Sequence, residues 1–288
     1  MIVGYRTTYE VVFSAAVDGE EIVRDVYKGT GEFTIPLSAG EHTVSIVKDS
    51  MISVNASDES FLTSVKFDGE FLRRPDDKGM LIEVVGDSIA CGFGARGVFK
   101  DDEMSKTIEC SARDSFASVV AYYADGDLSL ISRGGIGLLQ SQGEEGYTLF
   151  DLYPYVSPYH DHETEWGFER KADLVILEAS TNDAEFSNEE WAEALRKTVS
   201  LIREKNGENV PIVWAGRLDK QYLAVEALKE ETGDENLYAV QFSYGSSGGA
   251  GTSHSAAGHP NTEEQYVFGT VIMRYLSDHK LAEIKKQP

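Results

Sequence analysis

The sequence predicts two units in one chain: a small all-β unit, then an α/β unit built on a parallel sheet flanked by helices. In the first part, apolar residues alternate with polar ones and no helical period is found. Beyond residue 80, short continuous apolar runs alternate with helical patterns, the signature of strands buried on both faces. Between them lies Arg73-Arg74-Pro75-Asp76-Asp77, which reads as a linker. A length of 288 residues exceeds the roughly 250 at which single cores stop growing, which agrees with units at 1–76 and 77–288.

In the first unit, Tyr9, Val11, Phe13, Ala15 and Val17 alternate with more polar neighbours and stop at Asp18-Gly19, a hairpin turn pair. Phe61, Thr63, Val65 and Phe67 repeat the pattern and stop at Asp68-Gly69. Two more short strands, 32–37 and 42–48, are separated by Ser38-Ala39-Gly40. The expected result is a small sandwich.

In the second unit, the apolar runs are 80–85, 128–132, 174–177, 212–215 and 237–242. Ser187-Asn188-Glu189-Glu190 is a capping box, opening a helix with Trp191, Leu195, Val199 and Ile202 on one face. Thr262 and Gln265 are expected to frame the first turn of the last helix. In an open parallel sheet, ligands bind beyond the carboxyl ends of the strands, so the loops there are the ones to read for chemistry.

The formal net charge of −23 repels phosphate backbones and anionic lipid, which excludes nucleic acid and membrane as partners. A neutral ligand meets no such penalty. No stretch reaches the roughly 18 apolar residues that span a bilayer, and residues 1–10 lack a signal-peptide pattern. The expectation is a cytoplasmic protein, or a secreted one if a leader has been removed. The two cysteines, Cys91 and Cys110, fit either one disulfide or two free buried thiols.

Four loops carry candidate residues. After the first parallel strand comes Gly86-Asp87-Ser88-Ile89. A serine leaving a strand and entering a helix can act as nucleophile and offer its own N–H to an oxyanion, and Ser88 fits; the plainer role is a helix cap. The second strand ends in Ser132-Arg133-Gly134-Gly135-Ile136-Gly137, where a glycine lets backbone N–H approach a ligand; spacing favours Gly137, with Gly135 in reserve. The third ends in Ser180-Thr181-Asn182-Asp183. There Asn182 offers a neutral amide donor, and Asp183 reads as a loop brace accepting backbone N–H. Before the last helix, Ala256-Ala257-Gly258-His259 places an imidazole that can take a serine proton and return it to a leaving alcohol, with His254 as a competitor.

These segments, in this order, resemble the four blocks of SGNH hydrolases, with Ser88, Gly137, Asn182 and His259 on the block residues. The stretches Gly40-Glu41-His42-Thr43-Val44, Val65-Lys66-Phe67-Asp68-Gly69 and Ile82-Glu83-Val84-Val85-Gly86-Asp87-Ser88 resemble carbohydrate esterase family 2. The resemblance implies a jelly-roll β domain joined to a flavodoxin-like SGNH domain. It also implies a serine esterase that removes acetyl groups from plant polysaccharide such as xylan or mannan, without a cofactor. Two departures stand out. The aspartate usual three residues before the histidine is replaced by Ala256, which implies a Ser-His dyad; and the β unit is short for a complete jelly roll.

Sugar rings stack on aromatic faces, which singles out Trp214 at the end of the fourth strand and Tyr244 in a glycine-rich segment as substrate-binding candidates. Tyr153, Tyr155, Tyr159 and Trp166 crowd a long insertion after the second strand, a weaker case. Two other readings stay open: a carbohydrate-binding protein that releases no acetate, and an esterase acting on lipid or small-molecule esters.

Overall fold

The computed structural model describes residues 1–52, 58–73, 79–97, 106–141, 147–157, 161–179, 181–242, 255 and 258–286. The first strand, β1 (Ile2–Val17), turns at Asp18 and Gly19, both at positive φ, into β2 (Glu20–Thr34). That is the turn expected from this residue pair. β3 (Val44–Lys48) pairs with the second half of β1 and β4 (Ser60–Lys66) with the first half, completing a four-stranded antiparallel sheet.

This sheet folds over on itself. Val3 and Phe13 belong to one buried cluster, although about 33 Å of straight strand would separate them. A register break between Thr7 and Val11 bends β1, so that Phe33, the partner of Val3, stacks on Phe13 at 6.0 Å. One bent hairpin thus supplies both layers of the expected sandwich. Most of β2 was missed in the sequence because its side chains are largely exposed and show no sustained alternation.

The opposite face of β1 is buried as well. Val12, Ser14 and Ala16 face the segments around Asp49 and Arg113, which is why residues 11–16 form a continuous buried run. At this junction the buried Asp49 carboxylate accepts from Arg24 Nε at 3.0 Å, the Arg113 N–H at 2.9 Å and Ser111 Oγ at 3.1 Å. The Arg24 guanidinium also donates to the carbonyls of Ile108 and Cys110.

The second unit holds β5 (Leu81–Gly86), α1 (Phe116–Ala124), β6 (Asp127–Ser132), the short α2 (Leu149–Leu152) and a small hairpin of β7 (Tyr155–Ser157) and β8 (Asp161–Glu165). It continues through β9 (Leu174–Glu178), α3 (Asn188–Asn206), β10 (Ile212–Gly216), α4 (Asp219–Thr232), β11 (Leu237–Gln241) and α5 (Thr262–Asp278). The five expected strands form one parallel sheet in the order β6-β5-β9-β10-β11. α1 and α5 cover one face and α3 and α4 the other, each over a continuous apolar core. The strand order reverses beside β5, so the crevice expected of such a sheet opens between the ends of β5 and β9.

The Ser187 capping box forms as read, and Trp191, Leu195, Val199 and Ile202 are buried. On α5 the frame is shifted by one residue: Asn261 caps and Glu264 closes the box, which leaves Gln265 to point inward. Cys91 and Cys110 are free, buried thiols in one small cluster with Phe93 and Met51. Among the described residues, no helix is long and apolar enough to cross a membrane.

Removing Arg24 would leave the Asp49 charge buried without its ion-pair partner. Arg24→Ala is expected to cost about 3–5 kcal/mol of stability, read by urea unfolding. A loss below about 1 kcal/mol would show that the junction is not held by this pair.

Candidate active site

Every residue of β5 is buried, and at its end Asp87 and Ser88 enter the crevice. The expected helix after Ser88 does not form. Residues 87–96 are a run of tight turns, with Gly92 and Gly94 at φ +69 and the Phe93 N–H on the Ser88 carbonyl at 2.9 Å. Gly92 permits a close crossing, since a Cβ there would lie 1.9 Å from the Ser111 carbonyl oxygen. The Ser88 N–H has no hydrogen-bond partner among the described residues.

This turn is fastened to the start of α5. Gln265 Nε2 donates to the Ile89 carbonyl at 2.9 Å, while its Oε1 accepts the Phe116 N–H at 2.8 Å. Thr262 donates to the Ala95 carbonyl through both N–H and hydroxyl, and Ser255 Oγ donates to the Gly94 carbonyl. These ties bring His259 Nε2 to 2.7 Å from Ser88 Oγ. The edge of Phe93 meets the imidazole with ring centroids 4.6 Å apart, limiting its swing. The competing His254 lies outside the described residues, as do Ala256 and Ala257.

The third loop comes alongside. Asn182 sits in a short 3-10 turn, and its Nδ2 donates to the Ile136 carbonyl at 2.7 Å and to Asp87 Oδ2 at 3.1 Å. Asp183 braces the glycine loop, accepting the Leu138 N–H at 2.7 Å and the Leu139 N–H at 3.3 Å. Gly137 differs from expectation: its N–H donates to the Gln140 carbonyl at 2.7 Å and so is turned away from any ligand. A Cβ at 137 would overlap the Asp183 carboxylate, so close packing is what requires glycine there. The loop glycine beside Ser88 is Gly134, where a Cβ would lie 3.8 Å from the serine's own; Gly135, the reserve candidate, follows at φ +73.

Trp214 is likewise a correction. It is fully buried, donates from Nε1 to the Ala179 carbonyl at 3.1 Å and packs edge-on against Trp191. Period 2 points its side chain into the core under α3 and not into the crevice. Tyr244 lies outside the described residues.

Sequence reading missed Glu178, although a carboxyl ending the apolar run of β9 was a visible signal. Its Oε2 accepts the Asp87 N–H at 3.2 Å, and both side chains are fully buried. Burial pushes Asp87 up to about 6 and lifts Glu178 well above the usual carboxylate range, with the Asp87 charge adding to the latter. The push towards the protonated form falls most heavily on Glu178. Asp87 accepts from Ile89 N–H and Asn182.

An acid that holds its proton more tightly in the folded chain stabilises the fold at low pH. The contribution is lost as pH rises from the unfolded value towards the folded one, with a slope of about 1.4 kcal/mol per pH unit for one proton. Glu178→Gln removes this titration. The drop in Tm between about pH 5 and about pH 8 is expected to be smaller in the variant than in the native chain; equal drops would mean that Glu178 is ionised in the fold.

No family model matches this chain. Over 248 residues it is 27% identical to cellulase/esterase CelE of Acetivibrio thermocellus, covering 80% of this chain and 30% of that protein. Over 197 residues it is 26% identical to an acetylxylan esterase / glucomannan deacetylase of Cellvibrio japonicus, covering 64% of this chain and 54% of that one. The chain thus spans about a third of the first relative's length and about half of the second's. A family two carbohydrate esterase from Clostridium thermocellum, solved with cellohexaose, superposes with a TM-score of 0.83 at 22% identity, over 97% of this chain and 89% of that one. The chain has the fold of the family 2 carbohydrate esterases, the family that its motifs resemble.

Proposed function

We propose that the chain is a serine esterase releasing acetyl groups from carbohydrate, with plant cell-wall xylan or mannan as the substrate class. The observation that carries this reading is the 2.7 Å contact between Ser88 Oγ and His259 Nε2 at the switch point of the sheet. The names of the similar proteins support the substrate class: a glucomannan deacetylase and acetylxylan esterase in one case, and an esterase holding a cello-oligosaccharide in another.

In the proposed reaction His259 Nε2 takes the Ser88 hydroxyl proton as Oγ attacks the acetyl carbonyl. The oxyanion is met by the free Ser88 N–H and by Asn182 Nδ2, which shares the hydrogen of its longer bond to Asp87. His259 then passes the proton to the departing sugar oxygen, leaving an acetyl-serine. Water, deprotonated by the same imidazole, attacks that ester, and acetate leaves as Ser88 regains its proton. With Ala256 where an acid is usual, the catalytic pair is a Ser-His dyad. The division at 76/77 goes with this reading, residues 77–288 carrying the catalytic groups.

Acetate release from acetylated xylan or mannan oligosaccharides tests the proposal. Ser88→Ala is expected to abolish it, and Asn182→Ala to lower kcat by roughly 10²–10³. Full activity of Ser88→Ala, or glycan binding without acetate release by the native chain, would refute the esterase reading.

A further inference from the structure

Beyond the catalytic pair, a cavity of about 340 Å³ runs along the free edge of the parallel sheet. Among the described residues β6 pairs only with β5, and its residues Ser129 to Ser132, with Arg133 just beyond, form one wall. A cavity lined by four successive strand residues, and not by alternate ones, follows the strand's edge, where backbone N–H and C=O groups have no neighbouring strand among the described residues. Tyr155 and Trp166, from the insertion after β6, line it from the other side, and Ile52 reaches it from the β unit. The volume falls within the range of small-molecule sites, about 300–1,000 Å³.

The cavity starts one residue from the nucleophile on two chain segments. Arg133 and Ile52 line it; their neighbours Gly134 and Met51 meet beside Ser88, and a Cβ on Gly134 would lie 2.7 Å from Met51 Sδ and 3.8 Å from Ser88 Cβ. Trp166 is 48% exposed, yet it is not loose. Its N–H donates to the Pro154 carbonyl at 2.8 Å, and its ring meets the buried Phe168 edge-on at 6.5 Å, Phe168 resting in turn on Tyr153. A tryptophan held from below and open to solvent at a cavity suits the apolar face of a pyranose. The Ser132 hydroxyl and the strand edge suit its hydroxyls, and the apolar side chains that make up most of the lining suit its C–H faces.

We propose that this edge cavity is a sugar subsite, taking one unit of a neutral glycan chain next to the acetylated residue, with Trp166 as its stacking face. The proposal rests on the esterase reading and assigns the insertion after β6 to recognition of the polymer.

The test compares acetate release from an acetylated xylo- or manno-tetrasaccharide with that from the acetylated monosaccharide, in the native chain, Trp166→Ala and Trp166→Tyr. The native chain is expected to prefer the tetrasaccharide in kcat/KM, mainly through KM. Trp166→Ala is expected to reduce that preference about tenfold, and Trp166→Tyr to restore most of it. Equal losses on both substrates in Trp166→Ala would mark the ring as structural and overturn the subsite. So would a native preference for long-chain acyl esters that Trp166→Ala abolishes, which would make the cavity an acyl pocket. A native chain that hydrolyses the monosaccharide without any chain-length preference sinks the subsite alone; one that hydrolyses neither sugar sinks the esterase reading beneath it.

Discussion

The turn that carries Ser88 has neither a ladder nor a helix of its own, so its place is set by what it is tied to. Gln265, fully buried, bridges the Ile89 carbonyl and the first turn of α1, while Thr262 and Ser255 hold the carbonyls of Ala95 and Gly94. Neutral hydrogen bonds are worth about 1 kcal/mol each, but leaving such buried groups unpaired costs more, so the set resists partial opening. These ties join the sheet's first loop to its last helix and bring together Ser88 and His259, 171 residues apart in the chain. Reactive geometry tolerates errors of only about 1 Å, and no local preference in either segment could supply that precision.

A second constraint lies under the nucleophile. Asp87, Glu178 and Asp183 are all buried within two adjacent loops, an arrangement that would be costly if all were ionised. Burial pushes Glu178 well above the usual carboxylate range, which eases that cost, and Asp87 accepts from Asn182 and Ile89. The strain of burying this group of acids is thereby turned into fixed directions for the donors around Ser88. The β unit contributes from outside: the Arg24–Asp49 junction presses residues 49–52 against the crevice and brings Met51 beside Gly134.

What could be read in advance followed from local rules. The five strands of the sheet were legible because burial on both faces forces continuous apolar runs, and the turn at Asp18-Gly19 because few other residues take positive φ cheaply. β2 was largely illegible, since an exposed strand needs no apolar pattern. The helix expected after Ser88 overlooked Gly92 and Gly94, poor helix formers whose positive φ builds turns instead. Trp214 and Gly137 were assigned to a ligand because each stood at a strand's end. Which way a residue faces there depends on register and on the opposing loop: Trp214 turned to Trp191, and Gly137 made room for Asp183.

By itself the sequence determined the five strands of the parallel sheet and their order along the chain, the carboxyl-end loops as the place to look for chemistry, and Ser88 and His259 as the candidates there. These rest on periodicity, turn chemistry and the intrinsic reactivity of single residues, all local in the chain. Only the tertiary structure decided that residues 88 and 259 meet, that Glu178 lies buried against Asp87, and that an aromatic-rimmed cavity borders the sheet's free edge. Each depends on distances between segments far apart in sequence, and those distances are settled by packing and by the pairing of buried polar groups.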